Sequence, residues 1–379
     1  MEVSNYIQKN LDLYRYVLEF IDSENDDEEY QVFYQEFENA NKDEIRLFVL
    51  LIAKICKNHF RCPHFFKKIE SIILHFENQI KHIFTYAEIF DLFESNLRIL
   101  LFLIQKNIFP PEEYYIQKRI EFDKEYQQID SIEAFEEKRQ IGENDSEICK
   151  LIRSDSVVDF IVYISQRNIK VSSQIPDSIY ETNSFILKLR TTLIEYAAFF
   201  GSIEIFKYLR ISKAEMSSSI WLYAIHGRNP EIIHILEEDK FPRNHQKCIE
   251  EAIKCHHNEI ANYIQDNEKK FDDYSDSYND NDSEYDYECK IDVPFGIRYY
   301  NFEFIHENFF SEKSSFYILC KFGYFSLARL YLESKGIDQS FLIDIDQYEF
   351  SNDYKSHSHL KCVENKETKE KCSIEVISI

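Results

Sequence analysis

The second half of the chain repeats a short sequence pattern, and this repeat limits the fold more than any other feature. The pattern that begins at Thr192 returns at Ser219 and at Lys247, in steps of about 27 and about 28 residues. A fourth copy begins at Ser314, after one more period and an insertion of about 39 residues. One register position of the first three copies holds alanine: Ala197, Ala224 and Ala252. A unit of this length cannot bury its apolar side alone, so the repeat predicts an array of stacked units.

Each copy has the pattern of a short helix, a tight turn and a second helix. Asn229-Pro230-Glu231 marks the start of a second helix, because Asn caps helix N-termini, Pro suits the first helical position and Glu complements the helix dipole. The apolar positions of the second helices recur at helical spacing and predict an inward stripe: Ile205, Leu209, Ile232, Leu236, Ile260 and Ile264. The pattern therefore predicts an all-α fold class.

Glycine and proline are scarce, which favours long helical stretches and excludes several enzyme classes. The chain has six glycines and seven prolines, where average usage gives about 27 and about 19. No two glycines lie closer than 13 positions. Dinucleotide fingerprints, Walker A loops, kinase Gly-rich loops and the Gly-x-Ser-x-Gly elbow all need glycines a few residues apart. Since no His-Glu-x-x-His motif is present either, we expect no catalytic residues and no enzyme activity.

The repeat resembles the ankyrin repeat. The ankyrin register Thr-Pro-Leu-His-x-Ala-Ala-x-x-Gly-His-x-Glu-Ile is matched from Thr192 to Ile205, and Gly336-Ile-Asp338 is similar to the Gly-Ala-Asp that follows an ankyrin second helix. More narrowly, the stretch from about Ile148 to Gln265 resembles an ankyrin-like domain of unknown function that is expanded in some protists. The copies are shorter than the 33 residues of ankyrin and lack Thr-Pro-Leu-His. These departures concern the β-finger and leave the stacking of helical hairpins intact.

Periodicity and composition divide the chain into five predicted parts. Helical spacing, as in Leu47, Leu50 and Leu51, runs through the N-terminal part as far as Pro110-Pro111. Eleven acidic residues with three lysines between positions 266 and 292 predict disorder, because this stretch has little apolar surface to bury. The predicted parts are a helical N-terminal domain (1–140), ankyrin-like repeats (146–265), an acidic disordered insertion (266–292), a C-terminal ankyrin-like repeat (293–345) and a polar tail (346–379).

The resemblance implies a non-catalytic protein–protein interaction module, an ankyrin-like scaffold that binds protein partners on its concave face. It places the partner contacts on first-helix positions of the repeats: Glu195, Phe199, Leu222, His226, Arg228, Glu250 and Lys254. Phe199 and Phe200 form either an exposed aromatic pair or a pair buried by the neighbouring unit. Trp221 replaces a leucine that ankyrin buries, so we expect it in the core. The alternative function is an adaptor or substrate-recognition subunit, whose N-terminal helices dock onto a larger enzyme complex.

The charge of the chain restricts its partners. The 68 acidic and 44 basic residues give a net charge of −24, which opposes binding to nucleic acid and to anionic membranes and favours basic proteins. The two most apolar runs, 47–53 and 99–104, are shorter than the roughly 20 residues that span a bilayer. Nine scattered cysteines and the lack of an N-terminal secretion signal predict a cytoplasmic location, with the nucleus also compatible. No feature of the sequence indicates an oligomeric state.

Three groups of potential metal ligands are present, but none has the spacing of a known zinc or calcium site. Cys56, His59, Cys62 and His64 are irregularly spaced, and the run Cys255-His256-His257 lies at a repeat turn where neighbouring side chains diverge. A third group lies in the tail: His357, His359, Cys362 and Cys372. The acidic insertion lacks the Gly and Glu of an EF-hand loop. We therefore expect no metal and no cofactor.

The acidic insertion contains two possible phosphorylation sites. Ser277 is followed three residues later by Asp280, and Ser283 by Asp286, which is the pattern that acidophilic kinases favour. Phosphate there would add negative charge and extend the segment. The alternative is that the insertion is only a solvated spacer.

Overall fold

The computed structural model describes the chain as a set of short helices with one terminal β-hairpin. The described residues are 3–23, 33–35, 37, 40–60, 64–93, 96–109, 138, 140–267, 294–305, 309–310, 315–335, 358–364 and 372–378.

The N-terminal part consists of amphipathic helices around one apolar core. Its helices are α1 (Val3–Asp22), α2 (Lys42–Asn58), α3 (Phe65–His75), α4 (Glu77–Ile83), α5 (Tyr86–Phe93) and α6 (Leu97–Gln105). α2 starts at a capping box, in which the Asn41 side chain accepts the Glu44 backbone N–H and the Glu44 carboxylate accepts the Asn41 N–H. Aromatic rings fill the interior, and Phe33, Phe48 and Phe76 are all buried there.

The repeat region follows as helical hairpins. Its helices are α7 (Glu147–Arg153), α8 (Val157–Gln166), α9 (Ser184–Lys188), α10 (Leu193–Phe199), α11 (Ile203–Ile211), α12 (Ile220–Gly227), α13 (Pro230–Glu238), α14 (His245–Lys254) and α15 (Asn258–Asp266). The predicted start of α13 is confirmed, because the Asn229 side chain accepts the backbone N–H groups of Glu231 and Ile232. The all-α prediction is confirmed for this region.

The turn between the two helices of each hairpin contains a residue with positive φ in all four copies. A residue with positive φ ends each first helix: Asp155, Gly201, Arg228 and His256. In three of the four copies the next residue donates its N–H back into the first helix, as Ser202 does to Ala197 O (2.9 Å) and His257 to Ala252 O (2.9 Å). The three register alanines, 197, 224 and 252, are all 0% exposed. The sequence repeat therefore corresponds to a repeated local structure.

Neighbouring hairpins pack along the chain. The first helices are in contact in the order α10, α12, α14, and the second helices in the order α8, α11, α13. Gly227 allows the closest approach, because a Cβ at this position would overlap the carbonyl oxygen of Ala198 and lie 2.9 Å from the backbone N of Gly201. The backbones of α10 and α12 therefore meet without an intervening side chain.

The C-terminal helices complete the N-terminal core. They are α16 (Phe295–Arg298), a 3₁₀ helix (Phe302–Phe304), α17 (Ser315–Lys321) and α18 (Phe325–Ser334). The hairpin of α17 and α18 has the repeat turn, with positive φ at Gly323 and a bond from Tyr324 N–H to Leu319 O (2.8 Å). α18 packs on α1 and α2, and Leu319 and Leu327 are buried in the same cluster as Phe48. The two ends of the helical part of the chain thus share one core.

The C-terminal tail is not all-α. Strand β1 (Ser358–Glu364) pairs antiparallel with β2 (Cys372–Ser378), and Ser358 lies opposite Ser378. The sequence predicts only that this tail is polar, and the structure adds a pair of strands to it. Apolar and polar residues alternate in Cys372-Ser373-Ile374-Glu375-Val376, a period of two that is typical of strands.

Candidate functional site

The structure buries three of the seven residues that the sequence places on the partner-binding face. Glu195, Phe199 and His226 are 6%, 5% and 2% exposed. They cannot contact a partner in this fold, so the predicted concave face needs correction at these positions.

The chain itself covers this face. Phe185 on α9 stacks on Phe199 with ring centroids 6.1 Å apart, and its ring lies 4.5 Å from that of His226. Just before α10, Thr192 forms a β-bridge with Gln174. Of the two alternatives for Phe199, the structure supports burial. Trp221 is 1% exposed, which confirms that it belongs to the core.

The other four predicted residues are engaged in contacts within the chain. Leu222 is partly buried and packs against the repeat core. Arg228 is exposed but pairs with Asp22 on α1. Two further polar residues have hydrogen-bond partners: Glu250 accepts from Tyr299 Oη (3.0 Å), and Lys254 donates to Glu251 (3.1 Å).

Where the repeat turns meet the N-terminal helices, polar side chains form what we call the junction cluster: Tyr14, Asp22, His59, Arg228, His256 and His257. Asp22 is its centre, because its carboxylate accepts hydrogen bonds from His59 Nε2 (2.8 Å) and Arg228 Nη1 (2.7 Å). Burial raises the pKa of Asp22, but the His59 and Arg228 side chains outweigh burial and lower the pKa to about 2. His59 Nδ1 also lies 2.7 Å from the carbonyl oxygen of Cys255.

The rest of the junction cluster is neutral and buried. Tyr14 Oη lies 3.0 Å from His256 Nδ1 and accepts a hydrogen bond from the side-chain amide of Asn258 (3.3 Å). His257 Nδ1 lies 2.8 Å from the carbonyl of Ile225. Burial lowers the pKa of both histidines well below the usual range, and the nearby His59 lowers it further. Among the described residues, Nε2 of His256 and of His257 has no hydrogen-bond partner.

Beside the junction cluster lies a buried group that we call the His–Glu–Cys trio: His226, Glu251 and Cys255. His226 comes from α12, Glu251 from α14, and Cys255 from the end of α14. His226 Nε2 is 2.7 Å from Glu251 Oε1, and Cys255 Sγ is 3.6 Å from the same nitrogen and 4.0 Å from the same oxygen. One potential ligand atom of each type therefore converges on a single point.

Charge in the trio is balanced by one lysine. Lys254 Nζ lies 3.1 and 3.2 Å from the two carboxylate oxygens of Glu251. Burial raises the pKa of Glu251, but the Lys254 ammonium and the His226 imidazole together lower it to about 2. Burial also raises the pKa of the Cys255 thiol well above its usual range, so the thiol is neutral in the absence of a bound cation.

The structure separates the metal-ligand groups noted in the sequence. Cys56 is buried against Asn96, whereas His59 points to Asp22 and His64 is exposed. The run 255–257 diverges as predicted, because each of its side chains has a different neighbour. Cys62 and His357 lie outside the described residues; His359, Cys362 and Cys372 lie on the two strands, whose side chains are not described.

The possible phosphorylation sites Ser277 and Ser283 also lie outside the described residues, as does nearly all of the predicted acidic insertion.

Sequence reasoning did not single out Tyr14, Asp22 or Glu251. Glu251 had a visible signal, because the same register position holds Tyr196 and Tyr223 in the two preceding copies. A carboxylate at a register position that holds tyrosine in other copies indicates that the surroundings of this position differ in the third copy. Tyr14 and Asp22 had no such signal, since Tyr14 meets His256 across 242 positions and Asp22 meets His59 and Arg228 across 37 and 206 positions.

One cavity and the lengths of the described helices complete the description of the site's surroundings. The cavity found in the N-terminal core is lined only by apolar side chains, among them Phe48, Ile72 and Phe93. No described helix combines the length and the apolar character that crossing a bilayer requires.

Comparisons of the chain with protein-family models, with curated proteins and with solved structures found no match. The resemblance to ankyrin repeats therefore stays a prediction from the sequence.

Proposed function

We propose that the chain is a non-catalytic protein-interaction module: an ankyrin-like stack of hairpins that binds a helical segment of a partner protein at its open end. The open end is the outer face of α8, in the first described hairpin of the stack. Val158 and Val162 on this face are 71% and 48% exposed. This exposed pair is the observation that carries the proposal.

The register of the hairpins explains why this face suits another helix. Tyr208 and Tyr263 occupy the position of Val162 in later copies. Each packs on the hairpin before it: Tyr208 on Phe160 (centroids 6.2 Å apart) and Tyr263 on His234 (6.1 Å). Val162 therefore faces the place where a preceding hairpin would stand.

The composition of α8 at this face differs from that of a terminal cap. The position of Val158 holds glutamate in the next three copies: Glu204, Glu231 and Glu259. Terminal units of repeat proteins need a polar outer face for solubility, whereas an exposed apolar patch is typical of a binding surface. A partner helix packed on α8 would bury both valines. The negative charge of the chain favours partners that carry basic residues around their apolar contact.

The test compares capture of partners from the native cell by four full-length forms: wild type, Val158→Glu, Val162→Glu and Leu74→Glu. Leu74 is the matched control, because it is an apolar residue 40% exposed on the N-terminal part. We expect the two valine variants to lose partners that the wild type and the Leu74 variant retain. Sedimentation of each form separates binding of a foreign protein from self-association. Identical capture by all four forms would contradict the proposal.

The adaptor alternative is tested with variants of the full chain, because separate halves would not keep their cores. Buried side chains of the C-terminal helices, such as Ile297, Leu319 and Leu332, contribute to the N-terminal core, so a fragment that ends near position 145 would lack part of its interior. Variants of the full chain are needed to assign partners to either part.

A further inference from the structure

We infer that the His–Glu–Cys trio is a binding site for one transition-metal ion of the zinc type, held between α12 and α14. This site is independent of the proposed binding surface on α8. No metal was expected from the sequence, because the three residues come from two repeat copies and have no ligand spacing along the chain.

The donor set fits zinc. Imidazole nitrogen, carboxylate oxygen and thiolate sulfur are its usual protein ligands, and together they disfavour magnesium and calcium, which prefer oxygen alone. Bonds of about 2.0–2.3 Å in a tetrahedron place ligand atoms about 3.3–3.6 Å apart. The trio has separations of 2.7, 3.6 and 4.0 Å. Shifts of about half an ångström therefore bring all three atoms to ligand positions.

Burial adds to the argument. His226, Glu251 and Cys255 are 2%, 8% and 0% exposed. Polar side chains that water usually solvates are therefore held together inside the fold. A buried thiol makes only weak hydrogen bonds, and packing alone does not require a thiol, a carboxylate and an imidazole to converge on one point. The fourth position is left for a water molecule or for the second oxygen of Glu251.

In the present structure the ammonium group of Lys254 supplies the positive charge beside Glu251. Its ammonium binds both oxygens of Glu251, and its side chain is 25% exposed. Outward rotation of this side chain would open the approach to the trio and release the carboxylate. Metal binding would then replace the ammonium and release the Cys255 proton to solvent, so affinity rises with pH.

The first experiment uses full-length protein freed of metal with a chelator and titrated with Co²⁺. We expect thiolate-to-cobalt charge-transfer absorption that saturates at one equivalent and disappears when Zn²⁺ is added. Cys255→Ser should lose this absorption, whereas Cys248→Ser should retain it. Cys248 is the matched control, because it lies on the same helix and is also buried, at 1% exposed. A band that persists in Cys255→Ser, or no band in the wild type, overturns the site.

The second experiment separates a metal site from a purely structural ion pair. Zn²⁺ affinity is measured by competition with a chromophoric chelator. We expect His226→Gln to weaken binding at least about tenfold, because losing even an outer-shell partner costs about 10–100-fold. Lys254→Met should strengthen binding, since it removes the competing ammonium. If Lys254→Met leaves the Zn²⁺ affinity unchanged or weakens it, the metal ion does not replace the Lys254 ammonium as proposed. The cobalt spectrum of the wild type tests the metal site even if a variant fails to fold.

Discussion

The two helical parts of the chain contain the same hairpin turn but stabilise it differently. In the stack from α7 to α15, each hairpin packs on the next copy along the sequence, as α10 does on α12. In the N-terminal part, the hairpin of α17 and α18 packs on α1 and α2, almost 300 positions away: Arg329 pairs with Asp43. Local contacts therefore hold the stack together, whereas the N-terminal core requires both ends of the helical region. The same hairpin turn is therefore found in both parts, and the helices against which the hairpin packs differ between them.

The largest expected effect is on the stack. Gly227→Ala places a Cβ against the backbone of Ala198 and Gly201, which side-chain rotation cannot relieve. We expect it to lower the free energy of unfolding by more than about 3 kcal/mol. The same change at Gly323 meets Leu50 Cδ1 at 3.0 Å, a flexible side chain, at a positive φ of 75°. This control should cost about 1–2 kcal/mol. Urea unfolding followed by circular dichroism measures both, and equal losses would show that α10 and α12 are not packed so closely.

An intermediate effect is expected where the two parts meet. Asp22→Asn removes the carboxylate that pairs with His59 and Arg228 and should cost about 1–2 kcal/mol at neutral pH, allowing for the 30% exposure of its side chain.

The same variant predicts a change in the pH dependence of stability. The pKa of Asp22 is lowered in the folded state from 3.8 to about 2. Its stabilising contribution is therefore complete above pH 4 and is lost as the pH falls towards 2. Urea midpoints measured across this range should fall less steeply for Asp22→Asn than for the wild type. Asp12→Asn, at an exposed position on the same helix, should follow the wild type. An unchanged profile in the Asp22 variant would mean that the junction contact contributes nothing.

The smallest expected effect on stability concerns an ion pair at the surface of the N-terminal part. Arg15 on α1 binds Glu303 through two nitrogens, at 3.0 and 2.8 Å, and its side chain is 50% exposed. Arg15→Ala should cost less than about 1 kcal/mol, and the loss should shrink in high salt. Lys81→Ala, which breaks an exposed pair with Glu77 within one helix, is the local counterpart and should cost about half as much. Thermal melts at two salt concentrations compare them, and a larger loss for Lys81 would contradict the importance of the long-range contact.

The sequence predicted the parts of the molecule that depend on neighbours along the chain. The repeat turns and the start of α13 follow from periodicity and capping, which operate within a few residues. The burial of Trp221 was expected from its position in the ankyrin-like register. Three of the residues predicted to contact a partner are buried instead, for the opposite reason. Burial of Phe199 depends on Phe185, whose segment has no periodic pattern that indicates where it packs.

By itself, the sequence determined the helical hairpin and its repetition, because apolar spacing, alanine at one register position and turn residues are local properties. Only the tertiary structure decided that α17 and α18 join the N-terminal core, that Asp22 meets Arg228, and that His226, Glu251 and Cys255 converge. Those contacts depend on the angle between packed helices and on which surfaces are left to bury. Both are properties of the assembled fold, and no single segment of the chain specifies them.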